Sequence, residues 1–140
     1  MMASTATQLQ TLKCSIITPN GVVFSGDVTH VSAMAVDGSL GIYPKHQPLV
    51  TPLAIGLFKL TTLANIPETY VVMGGLLQTD GESITVLTDV AEHGRNIDKV
   101  RAEVALRRAQ DRLRHKHGVD LTRAELALRR ATARLQAVRG

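Results

Sequence analysis

The sequence predicts an α+β fold in which an N-terminal antiparallel β-sandwich, or flattened barrel, precedes a C-terminal antiparallel hairpin of two helices. Short apolar segments separated by Gly, Pro and Asn fill the chain through Arg95, a pattern typical of all-β domains. From Asn96 onward, apolar residues recur at spacings of three and four, which is the helical period. The charge also changes sign there, with 4 basic against 7 acidic residues before Asn96 and 12 against 5 from it onward.

The chain is expected to divide into three parts. Residues 1–11 should form a flexible N-terminus, residues 12–92 the sandwich and residues 93–140 the helical hairpin. The roughly 95 residues before the helices can bury a core of their own, whereas a short helical appendage needs a surface on which to pack.

The predicted strands follow the alternation of apolar and polar residues. A hairpin turn is expected at Pro19-Asn20-Gly21, because an Asn-Gly pair tolerates the positive φ of a tight turn. Alternate residues from Val28 to Val36, including His30, should share one face of the third strand. The predicted strands are Leu12–Thr18, Val22–Phe24, Asp27–Val36, Ile55–Thr62, Glu68–Met73 and Ser83–Thr88.

Between the third and fourth strands, Gly38–Leu49 is predicted to be a bent loop that presents a surface. It contains two prolines, which fix φ, and two glycines, which permit unusual φ values. His46 in this loop should brace it rather than act as a base, since no second His, Cys or carboxylate has a suitable spacing. Cys14 is the only cysteine, so it cannot form an intrachain disulfide and is expected to be a buried strand residue.

The C-terminal part predicts two helices with a short break. The first covers Ile97–His115, and Lys116–Asp120 ends it, with Gly118 in the position favoured just past a helix C-terminus. The second helix starts near Leu121, where Asp120 and Thr122 compete for the N-cap position. Its apolar stripe is narrow and rich in alanine, so the hairpin should be closely packed and marginally stable alone.

Several functional classes are disfavoured by the sequence. No apolar segment approaches the about 18 residues that span a bilayer, and residues 1–10 lack the features of a secretory signal, so a soluble protein is expected. With only two Tyr, two Phe and no Trp, the chain has few rings on which bases could stack. No phosphate-binding glycine loop, metal-ligand cluster or Ser/His/Asp set is evident, so the chain is not expected to be an enzyme on its own.

The arginines of the two helices are candidates for phosphate binding. Arg101 and Arg108 lie on one flank of the first helix, and Arg130 and Arg134 on one flank of the second. Guanidinium groups form forked, charge-assisted bonds with phosphate oxygens, and an antiparallel hairpin would bring the two pairs together. The alternative is an ordinary solvated basic face. Asp98, near the start of the first helix, is either an acidic residue stabilised by the helix dipole or a group that positions a sugar or base.

In this order, four segments resemble the epsilon subunit of bacterial and chloroplast F-type ATP synthases: Gly38–Leu49, Val72–Leu77, Ile84–Glu92 and the helical hairpin. The resemblance implies a non-catalytic rotor subunit of the central stalk, without a required cofactor or metal. Its implied partners are the gamma subunit, the c ring and, when the hairpin extends and blocks ATP hydrolysis, the alpha and beta subunits. It implies a peripheral location on the cytoplasmic face of the bacterial inner membrane or the stromal face of a thylakoid. The loop residues implied to dock on the c ring or gamma are Ser39, Leu40, Gly41, Tyr43 and His46.

The start of the first helix, Ile97–Ala102, is similar to the Ile/Leu-Asp-x-x-Arg-Ala motif of family members whose hairpin binds ATP. This similarity implies ATP as a regulatory ligand. The residues it implies for nucleotide binding are Glu92, Ile97, Asp98, Arg101, Ala102, Arg108, Arg130 and Arg134. The docking loop departs from the family pattern at Lys45, where Gly is common, and at Ser39, where many members have an acid.

A second hypothesis is a nucleic-acid-binding module, with the basic helices on phosphates and the sandwich as a scaffold. It predicts steeply salt-dependent binding to DNA or RNA. The scarcity of aromatic residues and the extent of the family resemblance favour the rotor subunit instead.

Overall fold

The computed structural model describes residues 10–115 and 120–139. Most of the expected flexible N-terminus and residues 116–119 of the expected helix break lie outside these residues. The elements in chain order are strands β1 (Leu12–Thr18), β2 (Gly21–Ala35), β3 (Gly38–Ile42), β4 (Leu49–Thr62), β5 (Pro67–Thr79), β6 (Ser83–Leu87) and β7 (Ala91–His93), a 3-10 turn (Gly94–Asn96), and helices α1 (Lys99–Arg114) and α2 (Leu121–Arg139).

The strands close into a flattened barrel. The sheet runs β1-β6-β5-β4-β2, and β1 also pairs with β2, so the hydrogen-bonded path returns to its start. The short strands β3 and β7 pair with β2 and β5. This confirms the predicted fold class, with one difference: β1 and β6 run parallel, with Lys13 opposite Ser83.

Strand β2 departs most from the sequence prediction. The two segments predicted as separate strands form one strand, whose first half pairs with β1 and whose second half pairs with β3 and β4. Its pairing shifts between Val28 and His30, and a bulge of this kind reverses the side-chain alternation. The buried residues after the bulge are therefore Val31, Ala33 and Ala35, and the expectation that His30 to Val36 continue the face of Val28 is wrong.

The barrel interior is filled by aliphatic side chains around Phe58, which is 1% exposed. Truncating such a ring to Ala typically costs about 3–5 kcal/mol of folding stability. Cys14 belongs to this core, as expected, and burial raises the pKa of its thiol to about 12. A thiol so far from ionising at neutral pH is unreactive.

Helix α2 lies between the barrel and α1. Its buried Ala133 and Ala137 pack on Val71, together with the half-buried Ile55, Leu57 and Met73. Helix α1 packs mainly on α2, and its buried side chains are Ala102 and Ala109. The small side chains allow close approach of the helices, as the sequence predicts. Asp120 is the N-cap of α2, since its Oδ1 accepts the Arg123 N–H at 3.1 Å.

Within the described residues, neither helix has a stretch apolar enough to cross a membrane.

Candidate functional site

A cavity of about 330 Å³ lies where the helical hairpin meets the barrel. Three elements form it: β7, the start of α1 with the turn before it, and the C-terminal half of α2. Its walls are formed by Glu92, Asn96, Ile97, Asp98, Arg101, Ala102, Ala105 and Arg134. A volume of about 300 Å³ is the lower end of the range for small-molecule sites.

An ion pair joins the two sides of this cavity. The Arg134 guanidinium donates from Nε to Glu92 Oε1 at 2.8 Å and from Nη2 to Glu92 Oε2 at 3.4 Å. The two side chains are 29% and 35% exposed, so water screens the pair only in part. This fork connects α2 to strand β7 across 42 residues of sequence, and it holds the hairpin against the barrel.

The opposite wall is the N-terminus of α1. Asp98 is its N-cap, and Oδ1 accepts the Arg101 N–H at 3.1 Å. The cap fixes the direction in which the first turn leaves the barrel, and so places Arg101 and Ala102 beside the cavity. Asp98 therefore has the structural role that its position near the helix start suggests, and it also lines the cavity.

Six of the eight residues proposed for a nucleotide from the sequence line this cavity: Glu92, Ile97, Asp98, Arg101, Ala102 and Arg134. Arg108 and Arg130 do not. Arg108 is exposed, and at 1.5 Å per residue it lies about 10 Å further along α1 than Arg101. Arg130 is half-buried, one turn before Arg134.

The expectation that the hairpin brings both arginine pairs together is therefore met in this cavity by one member of each pair, Arg101 and Arg134. Arg134 is already paired with Glu92, and the cavity holds two carboxylates beside two guanidinium groups. A phosphate group that enters would compete with Glu92 for Arg134, rather than meet an uncompensated positive cluster.

Sequence reasoning missed two of the cavity residues, Asn96 and Ala105. Ala105 is one helical turn after Arg101, so helical periodicity could have identified it. Asn96 precedes the recognised motif and ends the 3-10 turn, a position that no local pattern marks.

The segment expected to dock on other subunits has a different form from the one predicted. Ser39, Leu40 and Gly41 lie on strand β3, where Ser39 pairs with Met34 and Gly41 with Ser32, so the bent loop is limited to residues 43–48. Within it, Tyr43 is 60% exposed and its ring stacks on His30 with centroids 5.0 Å apart. His46 Nδ1 lies 2.7 Å from the Gln47 carbonyl oxygen, the contact expected of a bracing residue.

A second polar cluster lies beside the 3-10 turn that connects the barrel to the hairpin. His93 Nε2 and Arg95 Nη2 lie 3.2 and 3.3 Å from Glu68 Oε1. His93 Nδ1 accepts the Arg95 N–H at 3.0 Å, which makes His93 the cap of the 3-10 turn. Within the described residues, no group of three or more His, Cys, Asp or Glu side chains is arranged to hold a metal ion.

Family models cover nearly the whole chain. Residues 11–94 match the model described as "ATP synthase, Delta/Epsilon chain, beta-sandwich domain". Residues 95–139 match the model described as "ATP synthase, Delta/Epsilon chain, long alpha-helix domain".

Two curated relatives share the name ATP synthase epsilon chain. The protein from Anoxybacillus flavithermus is 44% identical over 105 residues, which are 75% of this chain and 78% of that protein. The protein from Bacillus subtilis is 43% identical over 105 residues, 75% and 79% of the two chains.

Solved structures share the fold at low identity. A chain in the Euglena gracilis mitochondrial ATP synthase, in a structure of OSCP, F1 and c-ring, superposes with a TM-score of 0.81 at 18% identity, over 94% of this chain and 82% of that one. A chain in a structure of the Tetrahymena thermophila mitochondrial ATP synthase central stalk and c-ring superposes with a TM-score of 0.51 at 15% identity, over 64% of this chain and 72% of that one.

Proposed function

The chain belongs to the delta/epsilon chain family of ATP synthases. We propose that it couples rotation of the c ring and gamma to ATP synthesis, and that its hairpin limits ATP hydrolysis. As an epsilon subunit it is a structural and regulatory part of the central stalk rather than a catalytic one. The barrel would dock on gamma and the c ring, on the cytoplasmic or stromal face of the coupling membrane. The hairpin would meet the alpha and beta subunits when extended.

The hairpin is held by contacts that can be released without unfolding the barrel. Ala133 and Ala137 form a core cluster with Val71 that is distinct from the core around Phe58. Alanine side chains bury little apolar area, and the larger apolar side chains packed against them are only partly buried, so the hydrophobic free energy of this contact is smaller than that of the barrel core. One ion pair, Arg134 with Glu92, adds to it. Extension of the hairpin therefore competes with a modest attachment.

The observation that carries a regulatory role for ATP is the convergence of three elements on one cavity. Glu92 comes from the barrel, Asp98 and Arg101 from the start of α1, and Arg134 from α2. These groups face a common ligand only when α2 lies on the barrel. A ligand shifts a conformational equilibrium by the difference between its affinities for the two states. A nucleotide in this cavity would therefore favour the compact hairpin.

The size of such an effect follows from mass action. A ligand that binds only the compact form stabilises it by about 2.7 kcal/mol at a concentration 100 times its Kd. This exceeds the about 1 kcal/mol typical of a partly exposed ion pair. Cellular ATP could then decide whether the hairpin remains folded, provided that its Kd lies well below the ATP concentration.

Removal of the hairpin in the assembled enzyme tests the inhibitory role. Ending the chain after His93 retains β7, which pairs with Tyr70 to Val72 of β5, and so leaves the barrel sheet intact. We expect ATP hydrolysis by the complete ATP synthase to increase, with the same subunit composition as the wild type. An unchanged hydrolysis rate in a fully assembled complex would contradict the inhibitory role.

A further inference from the structure

Two segments meet at one end of the barrel. These are the loop of residues 43–48 and the β5–β6 turn of residues 80–82, here called the tip loop and the tip turn. The Lys45 N–H donates to the Gly81 carbonyl at 2.8 Å. The tip turn is also joined to β1, since the Lys13 N–H donates to the Glu82 carbonyl at 3.0 Å.

Gly81 is the point of closest approach between the two segments. Its φ is +93°, a conformation that favours glycine, and a Cβ built on it would lie 2.7 Å from the His46 carbonyl oxygen and 3.5 Å from Lys45 Cα. Both neighbours are backbone atoms, so they cannot yield by a change of rotamer. Any side chain at position 81 would therefore displace the tip loop.

The tip turn is held by its own hydrogen bonds. Thr79 is buried; its hydroxyl donates to the Ser83 carbonyl at 2.8 Å and accepts the Gly81 N–H at 3.1 Å. Asp80 Oδ1 accepts the N–H groups of Glu82 and Ser83 at 2.9 and 2.8 Å. The turn is thus a fixed support for the loop that rests on it.

The tip loop contains a residue that needs such support. Lys45 has φ +67°, in the left-handed region that costs a non-glycine residue about 1–3 kcal/mol unless the surroundings impose it. Its N–H is the group that Gly81 binds. The exposed Tyr43 and the half-buried His46 lie on either side of this strained residue, and the His46 N–H donates to the Tyr43 carbonyl at 3.1 Å.

We propose that the tip loop and the tip turn form one docking unit for the c ring, in which Gly81 is the positioning residue that sets the conformation of Tyr43 and His46. This inference rests on the proposed docking role of the loop. It extends the docking surface to Asp80 and Glu82, which are exposed like Lys45, so the surface presents both signs of charge.

The test uses F1 that carries variants of this subunit. The binding of this F1 to membranes stripped of their own F1 is measured, and the purified F1 is first checked for retention of the subunit on gamma. Gly81→Ala should weaken rebinding about tenfold, because its Cβ would displace the tip loop from the conformation that docks. Gly21→Ala is the matched control, since its φ is +127° but a Cβ there meets nothing within 4 Å. Thr79→Val, which removes the hydroxyl without a collision, should act in the same direction as Gly81→Ala.

Tyr43→Ala separates this inference from the docking role itself. If Gly81 acts through the loop, the effects of Gly81→Ala and Tyr43→Ala should not add in the double variant. Amide NMR shifts of residues 43–48 in the full chain should change in Gly81→Ala and not in Gly21→Ala. Unchanged shifts, or fully additive losses of rebinding, would overturn the positioning role. Shifted loop signals with normal rebinding in every variant would instead retain the positioning role and refute docking through this loop.

Discussion

Replacement of Arg134 by Ala should loosen the hairpin even without a ligand. The variant loses two charge-assisted hydrogen bonds to Glu92 and leaves that carboxylate without its partner. Hydrogen bonds to charged groups contribute about 1.5–3 kcal/mol when buried. Because both side chains are about one-third exposed, we expect about 1–2 kcal/mol. The population of the detached hairpin should then rise roughly 5- to 30-fold.

Hydrogen exchange of the ligand-free full chain measures this change directly. Amides of α2 around Ala133 and Ala137 should exchange faster by the same factor, while amides around Phe58 in the barrel core keep their protection. Arg129→Ala is the matched control, since Arg129 is an exposed arginine on the same helix that does not line the cavity. Wild-type exchange rates in Arg134→Ala would show that the ion pair does not hold the hairpin.

The same variant tests the nucleotide site by calorimetric titration with ATP, with and without Mg²⁺, and with GTP for comparison. Loss of one guanidinium contact with phosphate should weaken ATP binding about 10- to 100-fold. Arg129→Ala should bind as the wild type does. No binding of millimolar ATP to the wild-type chain would refute the nucleotide site and assign control of the hairpin to rotation and subunit contacts.

Three further predictions follow from particular residues. Lys45→Gly should raise the free energy of unfolding by about 0.5–1 kcal/mol in chemical denaturation. Glycine adopts the left-handed φ of this position without strain, and this gain exceeds its entropic cost. Lys59→Gly, at an exposed strand position, is the control and should lower the free energy of unfolding. Ala133→Leu should displace α2 from Val71 at a cost of about 1–3 kcal/mol, and amide hydrogen exchange should become faster in α2 but not in the barrel core. Exchange rates in α2 equal to those of the wild type would contradict the packing described. Hydrogen bonds to the Asp80 carboxylate, above all the one from the Glu82 N–H, lower the pKa of this carboxyl. The ionised Asp80 therefore stabilises the tip turn fully at pH values above the pKa of an unfolded Asp. This stabilisation is lost as the pH falls through the lowered pKa of the folded protein. NMR shifts of the turn should therefore change with acid in the wild type and stay constant over that range in Asp80→Asn, whose amide oxygen does not titrate.

The parts of the fold that follow from local periodicity could be predicted from the sequence. Helix α1 begins and ends within two residues of the expected positions, and α2 begins at the expected residue, because their apolar stripes and caps are local signals. The bulge in β2 could not be predicted, since it arises from simultaneous pairing with β1, β3 and β4. Strand β3 could not be predicted either. Its Gly38 and Gly41 favour a loop by local propensity, but pairing with β2 places them in a strand.

The candidate site shows the same limit. Residues of the helix motif, from Ile97 to Ala102, are adjacent in the chain around the start of α1 and could be placed together from sequence. The pair of Glu92 with Arg134 could not, because it depends on how α2 is positioned on the barrel. That one contact places a carboxylate beside Arg134, so the cavity presents a balanced set of charges.

Closure of the barrel has a mechanical consequence. Strand β1 is bonded on one side to β6 and on the other to β2, so the main strand ladders form a continuous ring. A twisting load applied at one end must shear several ladders at once, whereas an open sheet can unzip from its free edge one bond at a time. The rotor role proposed for this chain would call for such stiffness. The helical hairpin lies outside this ring, so a change in its position need not break the strand ladders.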